Sequence, residues 1–527
     1  MVSIKEEKNK ESIVKSSFTV GLMTFISRIS GFIRDVIFAS YFGAGSNTDA
    51  FFVAFKIPNF FRRLFAEGAF IQSFVPILND YKVNQKQDLK KFISYVQGNL
   101  GLILIIIVSV GIIFSDQVIG TFAPGFDYSS QRFNLSSEML KITFPYLFFI
   151  SLTAMSAGIF NTYDKFLLPS ITPVLLNVSL IVFAIFVSGL TQEPIMSLAY
   201  GVLVAGILQY LIQIPSLVKM DLFVLPKVSF KFEGVNRVLK LMLPAMLGTA
   251  VVQINLIIDS IVASLLIAGS ISWLYYSDRL VELPLGVFGI AIATVILPKL
   301  SEKYSKNSMI EYSEMIHRAI KIAVVFSLPA MFGLLVLAEH IISTLFQYGN
   351  FKTTDTLMSS LSLLTYAIGL PAFILMKVLL TGFFSRQDTL TPVKYGAIAV
   401  VFNITMNVSV VLYYMSNPFL GAHALLALAT SLSAWLQVIL LYRRLTKDGI
   451  INKNCFLNRD FFKSLFSCVI MSLLLIIMLP DFNKWISYEY FQRGFYMLAY
   501  VISGALIYFL LMKIFKTNFR QIVYGNN

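Results

Sequence analysis

The chain has 527 residues, of which 57% are hydrophobic and 13% carry charge, and its formal net charge is +14. Soluble domains average about 25% charged residues, so this composition excludes a soluble protein and indicates an integral membrane protein. The two cysteines are too few for a disulfide framework or a cysteine-built metal site, and the three histidines show no ligand spacing.

Fourteen apolar stretches follow one another along the chain, each long enough to cross about 30 Å of hydrocarbon. They predict an all-α integral membrane protein with about 14 transmembrane helices. The polar segment before the first stretch shows no obvious signal-peptide cleavage site, so we expect the first helix to remain as an anchor. In chain order the predicted helices cover roughly residues 17–42, 49–79, 92–114, 139–160, 168–189, 194–218, 238–267, 271–298, 319–346, 356–384, 393–414, 419–441, 462–480 and 494–512.

The lysines and arginines between these helices fall mainly on one side. Alternate loops and the two ends of the chain hold 30 of them, and the intervening loops hold 4. By the positive-inside rule, both termini are predicted to be cytoplasmic, in a multi-pass protein of the bacterial cytoplasmic (inner) membrane. The positive charge is therefore a topology signal that also suits anionic lipid head groups, and we expect no nucleic-acid partner.

Two pairs of short motifs recur about 223 residues apart. AGIFNTYDKFLLPS resembles TGFFSRQDTLTPVK, and Pro76 precedes Pro298 by 222 positions. Such a period contains six helices, so both copies keep one orientation and would be related by a pseudo-two-fold axis along the membrane normal. The predicted organisation is a cytoplasmic segment 1–16, an N-lobe 17–220, a C-lobe 235–446, helices 13 and 14 within 459–515, and a cytoplasmic tail 516–527.

Charged residues inside the predicted helices concentrate in the first, second and eighth. Each Arg, Lys or Asp near the centre of a span costs about 2.5–3.5 kcal/mol, which is tolerated where the charge faces a protein interior or a wet cavity. The charged residues taken as candidates are Arg28, Arg34 and Asp35 in the first helix, Asp49, Lys56, Arg62, Arg63 and Glu67 in the second, and Asp278, Arg279 and Glu282 in the eighth, with Asp259 and Lys377 in the seventh and tenth; Lys141 lies at the edge of the fourth.

Helical spacing predicts which of these side chains share a face. Arg28 and Asp35 are seven residues apart and lie on one face, from which Arg34 points away. In the second helix a seven-residue spacing runs from Asp49 through to Arg63 and forms one polar stripe.

Two interpretations fit these charges. They either pair with one another and fix the helix register, or they line a wet cavity for an anionic substrate. Buried ion pairs seldom stabilise more than apolar packing does. Most of the cations are arginines, which suit bidentate contact with phosphate or carboxylate. Clustering in three helices and the arginine excess favour the cavity.

Four segments resemble the MurJ (MviN) family of lipid II flippases: SRISGFIRD, FGAGSNTDAFFVAFKIPNFFRRLFAEGAFIQSFVPIL, SWLYYSDRLVELPLGVFGIAIATVILPKL and GFFSRQDTLTPVK. That family belongs to a larger exporter superfamily with the MATE drug antiporters and the polysaccharide flippases. The resemblance implies two six-helix lobes around a central cavity and a lipid-tail groove beside helices 13 and 14. It also implies transport of lipid II from the cytoplasmic to the outer leaflet by alternating access.

The resemblance assigns roles to the charged residues. The cations expected to bind the substrate pyrophosphate and its surroundings are Arg28, Arg34, Arg62, Arg63 and Arg279. The residues expected to line the cavity or to form its gates are Asp35, Asp49, Lys56, Glu67, Asp278, Glu282 and Lys377, with Asp49 as the gate candidate near the outer end of the second helix.

Some family members resemble a sodium-coupled carrier, and the matching residues here are Asp259, Asn403 and Asn407. Asn407 stands where a second carboxylate is expected, which weakens the predicted sodium site. Coupling to sodium, chloride or the membrane potential is left open. We expect no other cofactor and no ATP site, because no G-x-x-x-x-G-K-[ST] motif occurs. The expected partners are lipid II, membrane lipids and other proteins of cell-wall synthesis.

Other function classes remain as alternatives. A MATE-like antiporter for organic cations predicts a pocket of acids and aromatic rings, whereas arginines dominate here. An exporter of another polyprenyl-linked saccharide has the same charge requirements, so this alternative is kept. A membrane enzyme would need a nucleophile–base pair or a metal cluster, and the sequence pattern shows neither. A role as a structural scaffold would not explain why the charge is concentrated in three helices.

Overall fold

The computed structural model describes residues 2–452 and 459–517, and within them the side chains other than those of 2–18, 65–67 and 247–256. Across this part of the chain every regular element is a helix and no strand occurs, which confirms the all-α prediction. Residues 518–527 of the predicted cytoplasmic tail lie outside the described residues.

The chain forms two compact units, Met1–Gly269 and Ser270–Asn527. The first unit contains two π-helices, Arg62–Phe70 and Phe183–Val187, in addition to its α-helices. Its α-helices are α1 (Val2–Phe42), α2 (Ser46–Phe61), α3 (Ile71–Asn84), α4 (Leu89–Ile113), α5 (Ser115–Phe122), α6 (Gln131–Thr143), α7 (Tyr146–Thr162), α8 (Leu167–Val182), α9 (Met196–Leu211), α10 (Ile214–Lys219) and α11 (Glu233–Ser264).

The second unit contains one π-helix in its described part, Leu285–Ile290. Its α-helices are α12 (Ser270–Pro284), α13 (Ala291–Ser305), α14 (Met309–Phe346), α15 (Thr353–Phe384), α16 (Leu390–Ser416), α17 (Ala422–Lys447), α18 (Arg459–Met478), α19 (Phe482–Ser487) and α20 (Tyr490–Ile514). The predicted lobe boundaries after residues 220 and 446 stay a prediction.

Each of the fourteen predicted stretches falls on helical residues, to within a few residues at its ends. In the described chain, 11 helical stretches are long and apolar enough to cross a membrane. The other three predicted stretches coincide with α1, with the run from α2 to α3, and with α11. The first two of these runs hold much of the charge that the sequence places inside helices.

Stacked aromatic rings form a core in the first unit. The ring centroids of Phe70 and Phe74 are 5.2 Å apart, those of Phe74 and Phe92 are 5.7 Å apart, and those of Tyr81 and Phe92 are 4.4 Å apart. Val235 of α11 is buried in the same cluster. Helices in lipid associate through packing because apolar lipid removes most of the hydrophobic driving force between them. These rings therefore fix α3, α4 and α11 against one another.

Local geometry repeats at the period that the sequence predicts. The π-helices that begin at Arg62 and Leu285 start 223 residues apart. Left-handed residues lie in the turns that follow α7 and α15, at the same interval of 223 residues, with a φ of 57° at Asp164 and 62° at Gln387. In each turn the next residue donates its backbone N–H back to a phenylalanine carbonyl, Phe160 or Phe383. These matching turns support the internal repeat and set its register at 223 residues.

Candidate functional site

The first cationic cluster lies on α1. Arg34 is 6% exposed and donates from Nε and Nη2 to Oδ1 of Asp35, over 3.0 and 2.7 Å. Its Nη1 donates to Oδ1 of Asn177 on α8, 2.9 Å away. The Asn177 amide then donates to the Ser30 hydroxyl and the Ser27 carbonyl, over 2.9 and 3.1 Å. One amide thereby fixes α1 to α8 and holds the arginine.

This arrangement corrects one detail of the expectation from helical spacing. Arg34 was expected to point away from the face of Asp35, but its long side chain reaches the adjacent carboxylate. Both groups are buried, so Arg34 is already neutralised in this structure. Arg28, six residues before Arg34 on the same helix, is exposed and lines a cavity of about 360 Å³ in the first unit.

Asp49 lies in the first turn of α2 and is 1% exposed. Its Oδ2 accepts the backbone N–H of Gly269 at 2.7 Å and lies 3.7 Å from Nη1 of Arg132. Arg132 in turn donates to the carbonyl of Gly125 and lies over the ring of Phe126, with Cζ 3.9 Å from its centroid. The gate candidate is therefore a buried acid held by Arg132, an arginine at the start of α6 that the sequence patterns did not single out.

The remaining cations of the second predicted helix lie closer to solvent. Lys56 is exposed and donates from Nζ to the hydroxyl of Ser260 on α11, 2.9 Å away. Arg62 donates from Nε to Oδ1 of Asn59 at 3.1 Å, and Arg63 is exposed. Both arginines open the π-helix Arg62–Phe70. The side chain of Glu67 lies outside the described residues.

That π-helix is a feature that sequence reasoning missed. A π-turn adds one residue to a helical turn, and such turns occur frequently at functional sites. Here it separates α2 from α3 and starts at the pair of adjacent arginines. The signal in the sequence is weak, because a charged pair followed by Gly68 also suits an ordinary helix.

In the second unit, α12 carries the charged residues that the sequence placed in the eighth predicted helix. Arg279 donates from Nη1 to Oε2 of Glu282 at 2.8 Å and from Nη2 to the Tyr275 hydroxyl at 3.1 Å, and it lies over the Tyr275 ring. Its side chain is 35% exposed and that of Glu282 is 52% exposed. Asp278 is also exposed. Arg279 is thus positioned by two neighbours and still reaches solvent.

A buried acid in the second unit was also missed. Asp355 accepts the indole N–H of Trp273 and the backbone N–H of Lys352, each at 2.9 Å. The Trp273 ring packs against His423, whose Nε2 lies 2.9 Å from the carbonyl of Met358. Asp355 sits in the first turn of α15, where a carboxylate caps backbone N–H groups. These contacts give it a structural role.

The candidate sodium ligands fall in both units. Asn403 and Asn407 are fully buried on α16, and the Asn407 amide donates to Oδ1 of Asn403 at 3.0 Å. Asp259 is half-buried on α11 in the first unit. Over the described residues, no group of three or more His, Cys, Asp or Glu side chains forms a metal-binding cluster. Lys377 is half-buried on α15.

A charged turn follows α15, outside the predicted spans. Arg386 and Arg444 contact opposite oxygens of Asp448, at 3.1 and 3.0 Å. Burial raises the pKa of Asp388 in this turn, but hydrogen bonds from Thr391 and the positive charges of Arg386 and Arg444 outweigh burial and leave that pKa below its ordinary value. This turn is the second copy of the motif that ends α7.

These features define a class: a multi-span helical membrane protein with guanidinium groups inside apolar helices, as in a transporter. The family model described as "Lipid II flippase MurJ" matches residues 38–496. A probable lipid II flippase MurJ of Buchnera aphidicola subsp. Schizaphis graminum is 41% identical, over 95% of this chain and 96% of its own length. One from Vibrio cholerae is 41% identical, over 97% of each chain. The chain belongs to the MurJ family of lipid II flippases, which are membrane transporters rather than enzymes.

Solved structures agree with this assignment. A structure titled as the lipid II flippase MurJ in an inward closed conformation is 30% identical, has a TM-score of 0.77, and matches 94% of this chain and 98% of that one. An inward-facing MATE family transporter is 16% identical with a TM-score of 0.62, covering 82% of this chain and 98% of its own. At that identity the MATE match shows a shared fold alone.

Proposed function

We propose that this protein moves lipid II from the inner to the outer leaflet of the cytoplasmic membrane by alternating access through a cationic central cavity. Relatives that are named probable lipid II flippase align with this chain over nearly the whole length of both proteins. The observation that supports the finer proposal is the exposed guanidinium of Arg28 on α1, which lines a cavity within a predicted membrane-spanning stretch.

The main free-energy cost of moving lipid II across the membrane comes from its polar head group. Lipid II joins a pyrophosphate and a bulky sugar-peptide head to a long polyprenyl tail, and transfer of unpaired polar groups into hydrocarbon costs several kcal/mol for each group. A hydrated cationic cavity replaces water with charge-assisted hydrogen bonds to the phosphates. The tail stays in lipid, beside α18 and α20.

The arginines divide into two kinds. Arg28, Arg63 and Arg279 reach solvent and are assigned to direct phosphate contact. Arg34 is held by Asp35 and Asn177, so a phosphate would have to replace that carboxylate and amide as its partner. The role of Arg34 is therefore expected to depend on the stage of transport.

Arg62 and the acidic residues are assigned to positioning and gating. Arg62 is held by Asn59 next to Arg63, and Glu282 orients Arg279. Asp49 is proposed as an outer gate, because its contact with the N–H of Gly269 joins the start of α2 to the turn before α12. Rocking of the two lobes would then exchange access between the leaflets.

Both termini are proposed to be cytoplasmic, which follows from the 30 to 4 division of basic residues. A membrane potential, negative inside, favours outward movement of an anion by about 2.3 kcal/mol per charge per 100 mV. Sodium or chloride coupling remains a proposal. Asn403 and Asn407 supply amide oxygens near Thr430, which suit a hard cation.

The test is reconstitution of the full chain in liposomes that carry labelled lipid II, with the accessibility of the label followed in each leaflet. We expect protein-dependent movement of lipid II and none of an organic cation. Movement of other polyprenyl-linked saccharides without lipid II would overturn the proposed substrate and favour the wider exporter class. Export of organic cations would favour a MATE-like antiporter.

A further inference from the structure

A cavity opens in the first unit between α1, the end of α7 and the start of α8. At about 360 Å³ it falls within the range of small-molecule pockets, roughly 300–1,000 Å³. Of the nine described residues that line it, Arg28 is the one that carries charge. The other eight are neutral, and they are divided between polar and apolar side chains.

The polar side chains supply both acceptors and donors. The hydroxyls of Thr24 and Ser170 donate to carbonyls of their own helices, over 2.8 and 2.6 Å, so their oxygens still have lone pairs to accept further hydrogen bonds. Asn161 is exposed at the end of α7, and its amide offers donors and an acceptor. The Arg28 guanidinium offers donors alone.

The apolar side of the lining is formed partly by Phe166 and Pro169. Such a lining suits a sugar ring, which presents hydroxyls that both donate and accept and C–H faces that pack on apolar groups. It suits a pyrophosphate less well, because one guanidinium is too little positive charge for two adjoining phosphates. It also suits a polyprenyl chain less well, because that chain would bury the polar groups without partners.

We propose that this cavity binds the sugar joined directly to the pyrophosphate, with Arg28 at the junction between sugar and phosphate. The inference rests on the proposed function and deepens it, because it names a specificity site for the saccharide. Thr24, Asn161 and Ser170 distinguish a polyprenyl pyrophosphate that carries a saccharide from one that does not. Arg28 recognises the phosphate that both ligands contain.

The test compares two ligands of the purified full chain: lipid II and undecaprenyl pyrophosphate, which lacks the saccharide. Thr24→Val and Asn161→Leu remove hydrogen-bonding groups from exposed positions, where folding is little disturbed. Each is expected to weaken lipid II binding about three- to tenfold, the range for loss of about one net hydrogen bond. Binding of undecaprenyl pyrophosphate should not change, and Arg28→Ala should weaken both ligands.

Thr405→Val is the matched control. Thr405 is also exposed, on α16, and its hydroxyl donates to the carbonyl four residues earlier at 2.9 Å, as that of Thr24 does. It should leave both affinities unchanged.

Equal weakening of both ligands in Thr24→Val and Asn161→Leu would overturn the sugar assignment, since it would place the phosphate or the tail there. Unaltered lipid II binding in both variants would overturn it as well. Failure of the unmodified protein to bind either ligand would instead overturn the proposed function, and this inference with it.

Discussion

Arg34 and Asp35 are consecutive residues whose side chains form a buried ion pair, with Nη2 2.7 Å from Oδ1. The pair is completed by Asn177, which fixes the guanidinium from a different helix. Removal of one partner from a buried pair costs about 3–5 kcal/mol, because the other charge is left uncompensated. We therefore expect Asp35 and Asn177 to set the stability of α1 and, under the proposed function, the readiness of Arg34 to bind a phosphate.

Substitutions of Asn177 should separate these two effects. Asn177→Leu removes the hydrogen bond to the charged Arg34, worth about 1.5–3 kcal/mol, and should lower the thermal unfolding temperature along with transport. Asn177→Asp keeps the acceptor for Arg34 and adds a negative charge, but it loses the amide donors to Ser27 and Ser30. We therefore expect stability between that of Asn177→Leu and that of the unmodified protein, and slower transport because Arg34 is held more tightly. Equal transport in Asn177→Asp and the unmodified protein would show that Arg34 does not change partners.

The Asp49–Arg132 pair should show energetic coupling. We expect Asp49→Asn and Arg132→Gln each to lower stability, and the double variant to lose less than the sum by about 1 kcal/mol or more, as contacting residues do. The measurement is a double-mutant cycle of unfolding in detergent. The exposed pair Lys90–Asp221 provides the control cycle, with a coupling of about 0–1 kcal/mol at most. Additive losses at Asp49 and Arg132 would refute the pairing.

Replacement of Arg279 by lysine should impair transport. A lysine keeps the charge but loses the planar fork that contacts Glu282 and lies over Tyr275. We expect Arg279→Lys to slow lipid II movement at least about tenfold, which corresponds to about 1.4 kcal/mol. Glu282→Gln retains a hydrogen-bond acceptor and should reduce transport less. The same liposome assay measures both variants, and the reverse order would exclude direct phosphate contact by Arg279.

The π-helix Arg62–Phe70 should be needed for function rather than for folding. Deletion of Leu64 would allow ordinary α-helical hydrogen bonding through the segment, since a π-turn holds one extra residue. We expect an intact fold by circular dichroism and thermal unfolding, with loss of transport. Deletion of Ile185 in the uncharged π-helix Phe183–Val187 is the control and should retain measurable transport. Full transport after the Leu64 deletion would contradict this role.

The helices were predictable because hydrocarbon thickness and apolar composition dictate them almost alone. All fourteen predicted stretches are helical, and the charged residues in α1, α2 and α12 were identified from the sequence. The internal repeat was likewise visible in short motifs, and the paired left-handed turns at Asp164 and Gln387 set its register.

Contacts between distant residues were not predictable in the same way. Helical spacing placed Arg34 away from Asp35 because it describes Cβ directions, whereas a long arginine side chain can turn back to its neighbour. Asn177 and Arg132 lie 143 and 83 positions from the residues they hold, and no local pattern marks such pairs. The candidate substrate residues themselves stay predictions until transport is measured.

The most direct measurement is lipid II movement between leaflets in liposomes that contain Arg28→Ala or Arg279→Ala. Arg443→Ala serves as the control, since Arg443 is an exposed arginine at the end of α17. The proposed cationic cavity predicts that both test variants fold, reach the membrane and lose transport, while the control keeps it. Full transport by both Arg28→Ala and Arg279→Ala would contradict the claim that these guanidinium groups bind the anionic head group.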